Sequence, residues 1–421
     1  MSSGAAVPTA SGTRNYAIVT AAYWGFTLTD GALRMLVLLH FFQLGYSPFT
    51  LAFLFLLYEA AGIGANLIGG WLATRFGISR MLAVGLATQI AGFLMLSAVS
   101  PDWAAALSVA WVVAAQGVCG VAKDLTKTAS KSAIKLTAGE ASGRLFRWVA
   151  FFTGSKNAMK GVGFFLGGLL LESLGFRGAL WAMAVALTVV LVGVLFYLPP
   201  LLGKAKASKS AKEFFAKSRG VNLLAAARVF LFGARDVWFV VGLPVFLYAS
   251  GWTFTMVGGF LALWTIGYGV VQAAAPALVR RSGDGLSTEV PAARIWSLLL
   301  VLMSGLTAGI LVADVPRPDL VVVTGLALFG ALFAVNSSVH SYLILAYAGS
   351  EKAAEDVGFY YAANAAGRFA GTLLSGLLYG AGGIAACLLG SAVMLAACWA
   401  LALMLPAQAV GTKRLGPPQG V

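Results

Sequence analysis

The stretch Leu231-Phe-Gly-Ala-Arg-Asp-Val-Trp-Phe-Val-Val-Gly-Leu-Pro244 sets an adjacent cation and anion, Arg235 and Asp236, inside an apolar run reaching from about 221 to 249. A helix crosses a bilayer with about 20 apolar residues, so this run is long enough to span. A charge at such depth costs about 2.5 to 3.5 kcal/mol on insertion scales and must be paired or face a wet cavity. Reading outward, the same grammar fills the chain. Its 421 residues are 60% hydrophobic and 10% charged, with 51 Gly, 11 Trp and a mean hydropathy of +0.87. That leaves too little polar surface to cover a water-soluble globule.

The predicted class is therefore an all-α polytopic membrane protein with twelve transmembrane helices. Apolar runs bounded by Gly, Pro and charges place them near 15–44, 49–73, 80–99, 104–136, 145–174, 178–198, 221–249, 253–278, 294–313, 319–348, 357–380 and 383–405. Lys and Arg resist translocation, so their distribution fixes orientation. With the N-terminus inside, twenty-one of the twenty-nine basic residues fall on the cytoplasmic side, and only Arg177 and Arg317 lie outside. The loop with Glu351, Lys352, Glu355 and Asp356 departs from this pattern. The formal charge of +14 thus reflects topology and lipid contact, with no nucleic acid implied. The protein is placed in the inner (plasma) membrane with both termini cytoplasmic. Residues 1–13 lack a basic n-region, and the first apolar run is too long for a signal sequence, so no cleavage is expected.

An internal repeat organises the spans. Displacing the sequence by 206 residues lays Gly45-Tyr46-Ser47 on Gly251-Trp252-Thr253, Asn66 on Gln272, Arg75 on Arg281 and Asp30 on Asp236. A displacement of 208 lays Gly168-Leu169-Leu170 on Gly376-Leu377-Leu378, Lys156 on Asn364 and Lys160 on Arg368. The predicted domains are a cytoplasmic tail at 1–14, a six-helix half at 15–198, a basic cytoplasmic linker at 199–220, a second half at 221–406 and a disordered tail at 407–421. Parallel halves resemble the major facilitator arrangement, which implies a substrate site near the midplane between them. The run Gly70-Trp71-Leu72-Ala73-Thr74-Arg75-Phe76-Gly77 resembles that superfamily's loop motif. Thr74 stands where the motif has Asp, which puts its charge lock in doubt.

Six cations, Arg34, Lys156, Lys160, Arg228, Arg235 and Arg368, lie within the spans, against three acids, Asp30, Glu59 and Asp236. The surplus points to an anionic cargo. Arg228 and Arg235 share a helix face with roughly 10 Å between their Cα atoms, and the repeat sets Arg34 opposite Arg235. Arginine suits an oxyanion because its planar fork donates two parallel hydrogen bonds, while Lys156 and Lys160 act as point charges. The competing reading is local ion pairing, Asp30 with Arg34 and Asp236 with a neighbouring helix. Asn336, His340 and Asn364 add polar groups on the tenth and eleventh spans, and the acids are candidates for proton coupling. Lys123, Lys127, Lys131 and Lys135 step down the fourth span at four-residue intervals, forming either a funnel for anions or an anchor for lipid headgroups. Cys119, Cys387 and Cys398 stand singly and read as core residues; no metal or cofactor is expected.

Five segments carry a more specific resemblance: 26–40, with Asp30 and Arg34; 123–127; 154–163, with Lys156 and Lys160; 231–244; and 338–347, with His340. They are similar to the ArsJ organoarsenical efflux family of the major facilitator superfamily, across about 15–406. The resemblance implies export of 1-arseno-3-phosphoglycerate, which glyceraldehyde-3-phosphate dehydrogenase makes when arsenate replaces phosphate, and hence arsenate resistance. The residues alone say only a multiply charged oxyanion. An organophosphate/phosphate antiporter would use the same arginines. A proton-coupled multidrug exporter would favour embedded acids, and no nucleophile and base constellation suggests an enzyme.

Overall fold

The computed structural model describes residues 10–137, 142–199, 218–279, 282, 286–313, 315–348 and 353–407. Among these, eleven helices form: α1 (Ala10–Gln43), α2 (Pro48–Phe76), α3 (Ile78–Ser97), α4 (Ala105–Thr137), α5 (Ser142–Tyr197), α6 (Arg219–Phe239), α7 (Gly242–Ala249), α8 (Phe254–Leu278), α9 (Glu289–Val312), α10 (Pro318–Tyr347) and α11 (Ala353–Leu403). Most of the expected linker at 199–220, and the tail after 407, lie outside the described residues.

Two of these helices are too long for one crossing. The 56 residues of α5 break at Gly175, with φ 68°, and the 51 residues of α11 break at Gly382 and Gly383, with φ 63° at the latter. A left-handed φ is open to glycine at little cost, so the chain turns there and re-enters the membrane. Conversely, α6 and α7 form one crossing with a local interruption, where Ser375 Oγ of α11 accepts from the N–H groups of Val241 and Gly242 at 3.2 and 3.1 Å. Counting α5 and α11 twice and α6 with α7 once gives the twelve crossings expected.

The repeat is built into the backbone. Gly45 and Gly251 have φ of 87° and 89°, and Gly175 and Gly383 have 68° and 63°, so turns related by the two displacements share one conformation. Ser47 Oγ accepts from Thr50 N–H at 3.2 Å to cap α2, and Thr253 Oγ1 accepts from Met256 N–H at 3.2 Å to cap α8. Between the halves, α5 packs on α8 and α11 packs on α2. A Cβ at Gly168 would stand 2.3 Å from the Phe254 carbonyl oxygen, and one at Gly376 would stand 2.5 Å from that of Pro48. These glycines bring the halves into backbone contact at the Gly45 end of the bundle. Glu172 reinforces that contact by accepting from Thr255 Oγ1 at 2.6 Å.

Large apolar side chains that face outward, such as Val189, Leu306 and Val393, lie on the sixth, ninth and twelfth crossings. In water they would be liabilities, whereas a lipid environment is their matching solvent. This is a multi-pass membrane protein with two parallel six-helix halves.

Candidate functional site

The site grows from two patterns in the sequence. The four-residue lysine spacing turns Lys123 and Lys127 of α4 inward, and the repeat brings Lys156 and Lys160 of α5 to the same level as Asn364 and Arg368 of α11. Together with Tyr23, Asp30, Tyr58, Glu59, Asp124 and Tyr361, these side chains line one cavity of about 90 Å³ between the halves. That is room for about three water molecules. Admitting a larger solute requires the halves to move. The lining holds five cations, Lys123, Lys127, Lys156, Lys160 and Arg368, and three acids, Asp30, Glu59 and Asp124.

A chain of ion pairs crosses the wall of this cavity. Arg34 of α1 donates to Glu59 of α2, and the same carboxylate oxygen accepts from Arg368 Nη2 of α11 at 2.7 Å. Arg368 Nε donates to Asp236 of α6 at 3.1 Å, and Asp236 accepts in turn from Arg235 Nε at 2.7 Å. Three arginines thus share two carboxylates, and the chain stitches one half to the other. Arg34 and Arg235 stand at its two ends and are not among the cavity-lining residues.

The local pair of Asp30 with Arg34, the competing reading of these charges, does not form. Glu59 supplies the carboxylate for Arg34 from the neighbouring helix, and Asp30 accepts instead from the Tyr58 hydroxyl at 2.6 Å. Asp236 does bind a neighbouring helix, as the pairing reading anticipated, but shares itself with its own Arg235. Lys123 Nζ sits 3.7 Å from the centre of the Tyr58 ring, and Arg34 approaches the same ring at 5.3 Å. Lys127 pairs with Asp124 at 3.8 Å. Lys123 and Lys127 therefore face the cavity rather than lipid headgroups. The side chains of Lys131, Lys135 and Thr74 lie outside the described residues.

Three expected site residues occupy a separate region. Arg228 is buried, donates to the Ser337 carbonyl at 3.2 Å and stacks over Phe232 at 4.0 Å. Arg235 approaches that ring at 4.9 Å, so the two arginines on one face of α6 share an aromatic partner. Asn336 donates to Ser297 Oγ at 3.1 Å, and His340 is fully buried. All three are absent from the cavity lining. His40, near the Gly45 end of α1, stacks on Phe176 at 4.1 Å. The three cysteines are buried in the core. Among the described residues no group of three His, Cys, Asp or Glu side chains is placed to hold a metal ion.

Sequence reasoning overlooked the tyrosines. Tyr58 touches Asp30, Arg34 and Lys123 at once, and its position beside the intramembrane Glu59 was the available sign.

Comparison with known proteins agrees with this architecture. No curated protein matches the chain. The fold is similar to the crystal structure of a variant of the nucleoside transporter NupG, with a TM-score of 0.70 and 14% identity over 94% of this chain and 98% of that one. At that identity the likeness shows fold alone. The Major Facilitator Superfamily model matches residues 17–372, and with the twelve crossings, the paired halves and the polar cavity between them, the chain belongs to that superfamily.

Proposed function

We propose that this secondary transporter exports a multiply charged anion, specifically 1-arseno-3-phosphoglycerate, and so confers arsenate resistance. The observation that carries this reading is the charge of the central cavity, where five cations outnumber three acids. A phospho-ester with charge at both ends matches a lining that offers cations on both α4 and α5 as well as on α11. The resemblance of the Asp30, Lys123, Lys160 and Arg235 segments to the ArsJ family supplies the arsenic. Its cargo comes from glyceraldehyde-3-phosphate dehydrogenase, and the functional link is to that enzyme rather than to a stable complex. In this reading the six-helix halves run over 15–198 and 221–406 of an inner-membrane protein, with the 199–220 linker cytoplasmic and the Gly45 end outside.

Everted membrane vesicles test the proposal. Vesicles containing the protein should accumulate cargo made in situ by the dehydrogenase from glyceraldehyde 3-phosphate, NAD and arsenate, with bare arsenate and arsenite excluded. Uptake of arsenite, or none in the presence of the enzyme, would refute it. An organophosphate/phosphate antiporter has the same charge requirement and is distinguished by dependence on phosphate loaded on the opposite side. Preference for cationic drugs would support the multidrug reading, which the positive lining opposes.

A further inference from the structure

Asp30 presents a chemical puzzle. It is a buried carboxylate in a cavity with five cations, yet among the described residues no Lys or Arg nitrogen forms a salt bridge with it. Its Oδ1 accepts from a neutral phenol, Tyr58, at 2.6 Å. Nearby Lys160 likewise forms no salt bridge with a carboxylate among the described residues; its ammonium lies 5.6 Å from the Phe164 ring. Lys123 rests against the face of Tyr58 at 3.7 Å.

One side chain therefore holds both partners apart. The Tyr58 hydroxyl occupies the carboxylate, while its ring, whose face is negative in the quadrupole sense, attracts the ammonium without neutralising it. Without that hydroxyl the carboxylate would seek the nearest cation, because a buried charge is costly until it is paired. An ion pair formed inside the cavity would remove one positive charge from the reach of an incoming anion.

We propose that Tyr58 is a positioning residue, which insulates Asp30 from Lys123 so that this lysine remains available to the oxyanion. The inference rests on the anion reading of the cavity and adds what keeps that charge uncompensated.

The test is binding of 3-phosphoglycerate and of inorganic phosphate to the purified full-length protein in detergent. Tyr58→Phe keeps the ring and loses the hydroxyl, and should weaken 3-phosphoglycerate binding about tenfold, the scale of one charge-assisted hydrogen bond that a lysine paired with Asp30 no longer gives the anion. Asp30→Asn removes the carboxylate that would collapse onto Lys123, so adding Tyr58→Phe to Asp30→Asn should cost no further affinity. A purely structural role for Tyr58 predicts the same loss in both backgrounds. Wild-type affinity in Tyr58→Phe, or a double variant weaker than Asp30→Asn, would overturn the inference. Should Tyr58→Phe fail to fold alone, Tyr58→Phe in the Asp30→Asn background decides, because the inference requires it to bind as tightly as Asp30→Asn itself. Failure of the anion reading looks different: neither probe binds the wild-type protein.

Discussion

Arg368 donates from Nη2 to Oε1 of Glu59 at 2.7 Å, tying α11 of one half to α2 of the other. The acid is the scarcer partner, because it also receives Arg34, while Arg368 has a second carboxylate in Asp236. Replacing Glu59 with Gln leaves one buried and one half-buried guanidinium group, Arg34 and Arg368, short of countercharge. Breaking a buried pair by removing one partner costs about 3 to 5 kcal/mol. Arg34→Gln should cost less, since Glu59 retains Arg368. Thermal unfolding in detergent should rank Glu59→Gln as the least stable of the two, and the reverse order would show that the carboxylate is not the hub.

At the Gly45 end, Gly168 and Gly376 place backbones of opposite halves too close for a side chain. Overpacking a tight contact costs about 1 to 3 kcal/mol, and here the penalty falls only on the conformation in which that end is shut. Gly168→Ala and Gly376→Ala should therefore shift the carrier towards opening at that end. Phe42, whose ring lies 5.9 Å from Tyr248 across the same seal, provides the reporter. A cysteine at Phe42, in a background lacking Cys119, Cys387 and Cys398, should react faster with a membrane-impermeant maleimide in either glycine variant. Unchanged labelling would mean that the seal does not depend on this contact.

The paired glycines are legible as a repeat in the sequence, because displacements of 206 and 208 residues superpose the letters, and the turn geometry follows them. The breaks at Gly175 and at Gly382–Gly383 were legible as ends of apolar runs. The pairing within the site was not. Asp30 and Arg34 lie one turn apart in sequence, and helical spacing invites a local pair, but Glu59 reaches Arg34 from another helix and Tyr58 takes Asp30. Interhelical partners depend on rotation about each helix axis, which a hydrophobic pattern sets only loosely when both faces are apolar. The same indeterminacy explains why Arg228, Asn336 and His340 were grouped with the cavity although they pack within the second half.

Sulfur chemistry offers a separate check on the cargo. Cys119, Cys387 and Cys398 are each buried in the core, with Cys387 donating to the Ser375 carbonyl at 3.6 Å and Cys398 lying 3.9 Å from Ser297 Oγ. Ser or Ala at all three positions should lower stability by about 1 kcal/mol per site, the usual scale for a core substitution. Transport should persist, because an oxyanion needs no thiol. Arsenate resistance in cells that express the triple variant measures this directly, and its loss despite normal membrane levels would assign the thiols a role in recognition.

Lys160 and Arg368 are equivalent by the repeat but not by environment, and the difference makes their substitutions separable. Arg368 holds Glu59 and Asp236 across the interface between halves, whereas Lys160 forms no salt bridge among the described residues and faces the cavity. If an anion with a charge at each end bridges them, losing either cation should weaken binding by about 1.5 to 3 kcal/mol, the range for hydrogen bonds to charged groups. Arg368→Gln should in addition lower the unfolding temperature, while Lys160→Gln should leave it unchanged or raise it, because a half-buried ammonium without a salt bridge among the described residues is removed. The double variant should lose less affinity than the two singles combined, since a cargo released at one end no longer gains from placement at the other. Titration with 3-phosphoglycerate alongside thermal unfolding separates these effects. Wild-type affinity in Lys160→Gln would remove the bridge and leave Arg368 as a structural cation.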